Sequence, residues 1–359
     1  MKVAIYTIAL NEEQFVERWY ESAKEADYLL IADTGSTDRT VELAKSLGIN
    51  VVSVAISPWR FDDARNAAMA QLPLDMDYCI SLDMDEIITP GWREPLEKAL
   101  KSGITRPKYK HIWSWKEDGT PGLEFAYDHI HARKGYRWKY PVHETLFSYG
   151  ITESSTFIEG LETHHHPDST KSRSQYLPLL AMSVQEDPHS DRNVYYYARE
   201  LFFYGKYEEA AVYFKRHLDM PSATWAAEKT SSYRYLAKCE PQNAFDYLHK
   251  AIALSPGRRE AIVELAQLMY DNSSWPDCYE FAIDALKIEV KPLDYLCEEF
   301  AWGALPHDLA SISAYNLGNI DDAIFHINNA ISIEPENKRF ITNLAYYNQD
   351  KQSKNDIIT

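Results

Sequence analysis

The sequence predicts two consecutive folds: an α/β domain built on a mostly parallel sheet, then an all-α domain of repeated helix pairs. Three observations carry this reading. Short apolar runs alternate with helix-patterned segments up to about residue 165. From about Arg192 onward the pattern is helical throughout. In that second stretch small residues recur at Ala210, Ala244 and Cys278, a spacing of 34. Expected domains are therefore 1–175 and 176–347, with a polar, frayed tail over 348–359.

The elements of the first domain follow in order. Val3–Leu10 is apolar and strand-like, and Asn11–Ala26 has the spacing of an amphipathic helix. Tyr28–Ala32 is a second strand ending at Asp33-Thr34-Gly35-Ser36. A helix over Thr37–Leu47 carries Asp38 and Glu42 near its start, where the helix dipole favours negative charge. Asn50–Ala55 is a third strand, Phe61–Gln71 a third helix, and Asp77–Leu82 a fourth strand ending at Asp83. This β-α-β-α-β-α-β order calls for a parallel sheet with helices on both faces. Ligands of such sheets sit beyond the carboxyl ends of the strands, so polar residues there are functional candidates by position.

In the second domain, Pro221, Pro256 and Pro335 follow helical segments that they terminate. A fourth small residue, Ala323, comes 45 positions after Cys278, which implies an insertion around Lys291–Gly303. Paired helices of this period, with small residues at the close contacts, resemble tetratricopeptide repeats. Each pair of that kind buries its apolar face only by stacking on neighbours.

Composition narrows the function classes. The 359 residues include 37 Lys+Arg against 54 Asp+Glu, a formal net charge of −17. Such a chain repels a phosphate backbone, which argues against nucleic acid as its main partner. The four cysteines, Cys79, Cys239, Cys278 and Cys297, are dispersed and form no CxxC pair, as expected of buried free thiols in a reducing compartment. No run is apolar enough to span a bilayer. The expected location is cytoplasmic, with peripheral membrane contact left open.

The chemistry centres on Asp83-Met84-Asp85, directly after the fourth strand. Alternate carboxylates can share one hard cation, which prefers oxygen ligands. A divalent ion there would neutralise a diphosphate leaving group. Glu86 extends the acidic cluster and is read as orienting the loop. Asp33 follows the second strand and points to the same cleft, with Ser36 or Thr37 expected to cap the next helix. Asn11 and Glu12 follow the first strand and divide evenly between capping and ligand contact. Arg65, on the helix Phe61–Gln71, suits a diphosphate because guanidinium matches phosphate oxygens bidentately; a structural ion pair to Asp62 or another neighbour is its rival role.

Four motifs stand in order at strand ends: Leu10-Asn11-Glu12-Glu13, Ala32-Asp33-Thr34-Gly35-Ser36-Thr37-Asp38-Arg39-Thr40, Phe61-Asp62-Asp63-Ala64-Arg65-Asn66 and Leu82-Asp83-Met84-Asp85-Glu86. Together they resemble the family 2 glycosyltransferases of GT-A fold, over about the first 170 residues. The version of that family fused to tetratricopeptide repeats resembles the chain over nearly its whole length. The resemblance implies a nucleotide-sugar donor, UDP- or GDP-linked, a Mn²⁺ or Mg²⁺ ion, and inversion at the anomeric carbon. By its pattern Glu12 and Asp33 contact the base, Asp83 the ribose, and Asp85 the metal. Leu10, Asn11, Arg65 and Met84 complete the donor-binding set.

The rest of the first domain would supply acceptor groups. Inversion needs a general base. Glu144, in the Val142-His143-Glu144 that similar transferases carry near the acceptor, is the first candidate, with Asp128 and Glu86 behind it. Its rival role is a scaffold pair with Arg133 or Arg137. Trp138, with Tyr140, could stack on a sugar, and His143 lies beside the base. His164-His165-His166 ends a further strand, and alternate residues of a strand share a face. GT-A enzymes often complete the metal shell with a late His, and His165, then His166, best match the position used in similar sequences. Lys171 and Arg173 could close over the diphosphate.

Two main functions compete. The first is a metal-dependent glycosyltransferase acting on a glycan, lipid-linked or peptide acceptor, with the repeats recognising acceptor or a protein partner. The second is a non-catalytic repeat scaffold carrying a degenerate nucleotide-sugar-binding domain. A nucleotidyltransferase would want a Gly-rich, basic loop after the first strand, and Leu10–Glu13 offers none.

Overall fold

The strand β1 (Val3–Ala9) buries six of its seven residues, as a strand covered on both faces must. The computed structural model describes residues 1–100, 103–168 and 174–358, with side chains described through 354. After β1 come α1 (Val16–Ala23), β2 (Tyr28–Asp33), α2 (Thr40–Ser46), β3 (Asn50–Ser53), α3 (Phe61–Ala70) and β4 (Tyr78–Ser81). Strands β3, β2, β1 and β4 lie side by side and parallel. Alternation sends Val3 and Ile5 to one face, where they meet Val16 and Trp19 of α1. Ala4 and Tyr6 go to the other face and meet Ala68 and Met69 of α3. Helices on both faces follow from this two-sided burial.

Two helices start later than the sequence pattern suggests. α1 begins at Val16 rather than Asn11, and α2 at Thr40 rather than Thr37. Asn11 has φ 54°, a left-handed turn conformation outside any helix. Its side-chain oxygen accepts the Thr37 N–H at 2.8 Å, so both loops are tied to each other instead of winding into helices.

The second half of this unit adds β5 (Glu86–Ile88), α4 (Arg93–Ala99), β6 (Lys108–Ile112), β7 (Glu124–Tyr127), β8 (Ile130–Ala132), β9 (Tyr136–Lys139), β10 (Thr145–Ser148) and β11 (Phe157–His165). β8 pairs antiparallel with β4 and closes the first sheet. β5, β11, β6 and β7 form a second sheet, and β9 and β10 a hairpin. The first unit is thus a mixed α/β arrangement of two sheets and a hairpin.

The chain divides after Asp187, not after residue 175, into Met1–Asp187 and Pro188–Thr359. The helix α5 (Tyr176–Glu186) belongs to the first unit through side-chain contacts that its own sequence does not reveal. Arg60 Nη1 meets Glu186 Oε1 at 2.7 Å, and Tyr176 packs edge-on against Phe61. Asp187 accepts from Lys139 Nζ at 2.9 Å and Tyr140 Oη at 3.0 Å.

The second unit is all helical: α6 (Asp191–Phe203), α7 (Tyr207–Asp219), α8 (Ala226–Cys239), α9 (Ala244–Leu254), α10 (Arg259–Asp271), α11 (Trp275–Leu286), α12 (Glu299–Trp302), α13 (Leu305–Asn316), α14 (Ile320–Ile333) and α15 (Lys338–Ile358). The recurring small residues Ala210, Cys278 and Ala323 are 0% exposed and Ala244 7%, as close helix–helix contact requires. Short α12 occupies the expected insertion. Successive helices pack as pairs, α6 on α7, α8 on α9, α10 on α11 and α13 on α14. The segment expected to fray after residue 347 is drawn into α15 instead. Its Gln and Lys residues are good helix formers. Lys354 pairs with Asp350 one turn away, and Lys351 reaches Asp321. Among the described residues no helix is long and apolar enough to cross a membrane, and all four cysteines are free thiols.

Candidate active site at the strand ends

The loops after β1 and β2 are stitched together by side chains. Ser36 Oγ accepts the Asn11 N–H at 2.9 Å, and Thr40 Oγ1 accepts the Glu12 N–H at 2.7 Å. Asp33 is 6% exposed and accepts the N–H groups of Gly35 and Ser36 at 3.2 and 3.1 Å. Gly35 has φ 114°, which a side chain would strain, so the turn needs glycine there. Neither Ser36 nor Thr37 caps α2, contrary to expectation. Asp38 takes the first-turn N–H of Thr40 at 2.9 Å, while the Ser36 and Thr37 hydroxyls are turned to Asn11. Glu12 is 9% exposed beside this turn, while Leu10 is 48% exposed.

Arg65 is the centre of a buried charge network. Its Nη1 and Nη2 form a fork on Asp83, at 2.6 and 2.9 Å. Nε donates to Glu144 Oε1 at 2.5 Å, and Nη1 also donates to Ser81 Oγ at 3.0 Å. Four of the five N–H groups of the guanidinium are thus engaged by neighbours on β4, its following loop and the β9–β10 hairpin. The sequence-based role of Arg65 as a diphosphate clamp gives way to an ion-pair role. The expected partner Asp62 instead binds Arg60 at 2.9 Å. Glu144, for its part, pairs with Arg65 and not with Arg133, whose guanidinium donates to the Leu72 and Pro73 carbonyls. Burial alone would raise the Asp83 carboxyl, but the charge and hydrogen bonds of Arg65 outweigh it and hold the group down to about 2.

Asp85 turns the other way. Its Oδ2 lies 3.3 Å from His165 Nε2. His165 Nδ1 is 3.0 Å from the Trp113 carbonyl, an acceptor only, so Nδ1 donates there and Nε2 is the nitrogen that faces Asp85. Burial pulls the imidazole down, but the hydrogen bond and charge of Asp85 outweigh it and raise it above its ordinary value. The ring is stacked on Trp113 at 4.2 Å. Of the three histidines the strand alternation therefore turns His165 to Asp85. His164 faces Glu162 at 3.4 Å, and the His166 ring stacks on Trp115 while the backbone N–H of His166 donates to the Asp85 carbonyl. His166 as a second metal ligand is thus not supported by where its ring lies. The backbone of Met84, 2% exposed, spans the two carboxylates.

Beneath this loop Glu86 is 3% exposed and accepts the Asp83 N–H at 3.1 Å. Burial first, then the charges of Asp83 and Asp85, push its carboxyl well above 4.5. His111, 3.7 Å away, is pushed by burial down to about 3. Burial thus works against charge on both members of the facing pair. A raised folded-state value means that Glu86 stabilises the fold most below about pH 4.5 and less as pH rises toward that value; Asp83 has the opposite slope, its contribution present above 3.8 and lost as pH falls toward 2. Glu86→Gln, a neutral isostere, should leave the melting temperature at pH 8 equal to or above that of the parent and flatten its dependence between pH 5 and 9. A clear loss at pH 8 would mean that an ionised Glu86 is needed.

Several residues sit elsewhere than their sequence context suggests. Trp138, the expected acceptor platform, is 1% exposed; its Nε1 donates to Tyr6 Oη at 2.7 Å and Arg65 covers its ring. Its backbone is clamped both ways by the Asn66 amide at 2.9 Å. Tyr140 is likewise buried, at 5% exposure. Trp138 points inward because β9 packs against α3, whereas Tyr140, just past β9, turns to Phe147 and Asp187. His143 has φ 49° and its ring meets Tyr176 edge-on. Asp128 is paired with Arg106 at 2.9 Å. Lys171 and Arg173 lie outside the described residues.

One site residue escaped the sequence reading. Arg18, on α1, has Nε and Nη2 buried with no hydrogen-bond partner, near enough to Asp85 for that charge to act on it. Burial pulls its guanidinium below the usual value, and Asp85 partly offsets this. A lone Arg in the polar spacing of a helix carries no local signal; only the packing of α1 beside the Asp85 loop singles it out.

Residues 4–106 match the Glycosyl transferase family 2 profile. An uncharacterized glycosyltransferase of Rickettsia bellii is 31% identical over 102 residues, which is 28% of this chain and 33% of the relative. The lipopolysaccharide core biosynthesis glycosyltransferase LpsC of Rhizobium meliloti is 25% identical over 144 residues, 38% of this chain and 50% of the relative. The chain thus spans about a third to a half of the length of these curated relatives. Among solved structures, the APC/C hetero-tetramer Cut9-Hcn1 aligns over 50% of this chain and 33% of that one, with TM-score 0.39 and 17% identity. Glucosyl-3-phosphoglycerate synthase from Mycobacterium tuberculosis, in complex with Mn²⁺, uridine-diphosphate and glucosyl-3-phosphoglycerate, aligns over 51% of this chain and 80% of that one, with TM-score 0.35 and 16% identity.

Proposed function

We propose that the chain, whose residues 4–106 carry the family 2 glycosyl transferase pattern, is a metal-dependent transferase moving a sugar from a nucleotide-sugar donor to a glycan, lipid-linked or peptide acceptor. The observation that carries the proposal is the pairing of Asp85 Oδ2 with His165 Nε2 at 3.3 Å. One carboxylate oxygen and one imidazole nitrogen, the latter oriented by the Trp113 carbonyl, are a donor set that Mn²⁺ or Mg²⁺ accepts, with Mn²⁺ favoured by the nitrogen. An ion held by Asp85 and His165 would neutralise the diphosphate as it leaves.

The chain's own groups do the rest. Asp33, at the end of β2, and Glu12, in the loop after β1, would meet the base, and Asp83 the ribose. Arg65 fixes Asp83 and Glu144 in one plane of hydrogen bonds, so its contribution to donor binding is indirect. Arg18 supplies the cation for the phosphates that Arg65 no longer can. Glu144 is the proposed base of an inverting transfer, oriented through Oε1 by Arg65. Its two reserves are less suited: Glu86 is buried and accepts the Asp83 N–H, and Asp128 is held by Arg106. The helix pairs would recognise acceptor or a protein partner.

Arg18→Gln should raise the KM for the nucleotide-sugar about 10- to 100-fold, the loss of one charge-assisted contact of roughly 1.5–3 kcal/mol, with little change in melting temperature. An unchanged KM would remove Arg18 from the phosphate site. The function itself is tested by screening nucleotide-sugars for Mn²⁺-stimulated release of the nucleoside diphosphate. Release with one donor class supports the transferase; no release, and no thermal shift with any nucleotide, would favour the degenerate scaffold.

A further inference from the structure

The second unit contains a polar cluster that the transferase reading does not use. Antiparallel packing of α6, α7 and α8 brings the first turn of α6, the last turn of α7 and the first turn of α8 to one end of the bundle. These turns carry Asp191, His217 and Glu228. One ligand atom from each, an imidazole nitrogen and two carboxylate oxygens, lies within 4.8 Å of the others.

Acidic residues at helix starts are common for electrostatic reasons alone. Two further features go beyond that explanation. His217 is 0% exposed, and its Nε2 is buried with no hydrogen-bond partner, facing Glu228 Oε2 at 3.6 Å. A buried polar nitrogen left in this state is unfavourable by about 1–3 kcal/mol. Two of the three ligands are also oriented from behind. Ser232 Oγ holds His217 Nδ1 at 2.8 Å, and Tyr295 Oη donates to Glu228 Oε1 at 2.6 Å. This leaves Nε2 and Oε2 directed at a common point, the pattern of outer partners that metal ligands use.

We propose that Asp191, His217 and Glu228 form a Zn²⁺ site that ties together the first three helices of the repeat unit. One nitrogen and two oxygens suit zinc, with bonds of about 2.0–2.2 Å, and tetrahedral bonds of that length place ligand atoms roughly 3.4 Å apart. The separation of 3.6 Å between His217 and Glu228 is already close to that edge, and Asp191 on the half-buried side has a short distance to close. Three protein ligands leave a fourth position for water or for a donor atom brought by a partner. The site is independent of Asp85 and His165, so it stands whether or not the transferase reading does.

The test uses the full chain bearing Asp85→Asn and His165→Gln, which removes the other candidate metal ligands. After chelator stripping, the protein is titrated with Zn²⁺, and bound metal is counted after desalting. The expected result is one zinc per chain, with a melting temperature that rises with zinc concentration. His217→Gln should weaken binding by at least about 100-fold, and Ser232→Ala by about 10-fold, as loss of an orienting partner does. Glu228→Gln, which keeps an acceptor for Tyr295, provides a second ligand variant should His217→Gln fail to fold by circular dichroism. Failure of the parent background to retain zinc would overturn the proposal. So would retention unaffected by the folded ligand variants.

Discussion

Arg65→Met is expected to destabilise the N-terminal unit by about 3–5 kcal/mol, the loss seen when one partner of a buried ion pair is removed. Arg65 is 5% exposed, and it lies between Asp83 and Glu144, whose side chains are 33% and 10% exposed. Without it two carboxylates face each other across the space it filled, and Asp83 loses the interaction that holds it at about 2. The partial exposure of Asp83 lets water screen part of this, which places the expectation at the lower end of the range. Urea unfolding followed by far-ultraviolet circular dichroism reads the change as a shift in midpoint. Arg65→Lys should recover little, because an ammonium cannot form the fork on Asp83 while also donating to Glu144. An unfolding free energy within about 0.5 kcal/mol of the parent, from the midpoint and an unchanged slope, would show that the network is not what holds these loops.

Asp85→Ala has the opposite profile: small in stability, large in turnover. Its side chain is 30% exposed and its partner His165 is at 3.3 Å, so its removal should change stability by less than about 1 kcal/mol. Metal-stimulated donor turnover should fall by at least about 10²–10³-fold, the loss expected when a group stabilising leaving-group charge is removed. Steady-state release of the nucleoside diphosphate with varied Mn²⁺ makes the measurement. Retained turnover with the same Mn²⁺ dependence would take Asp85 out of the metal site. The pair of variants separates two aspartates that are two positions apart in sequence: Asp83 is read as an anchor shared with Arg65, Asp85 as the group turned toward His165.

Much of the architecture was legible because it rests on local chemistry. The alternation in Val3–Ala9, the apolar spacing of α1 and α3, and the 34-residue recurrence of Ala210, Ala244 and Cys278 are all properties of neighbours in the chain. The carboxyl-end placement of Asp33, Asp83 and Asp85 followed from the strand order alone. Strand alternation told only that His165 faces away from His164 and His166; which face meets Asp85 took the structure. Helix starts were less accessible. Asn11 and Thr37 bond to each other across 26 positions, and no window of the sequence contains both.

The residues misread were those whose partners lie far along the chain. Arg65 looks like a phosphate ligand until Glu144, 79 positions later, is brought to its Nε. Trp138 looks like a sugar platform until Tyr6, 132 positions earlier, takes its indole N–H. Arg18 has no local mark at all. The strongly acidic balance therefore acquires its meaning only in three dimensions. By itself the sequence determined the two fold types, their order and the strand ends where chemistry belongs, because periodicity and turn residues act over a few positions. The tertiary structure alone decided which charges are engaged by one another and which remain for a ligand, because a carboxylate or guanidinium is defined by what meets it in space.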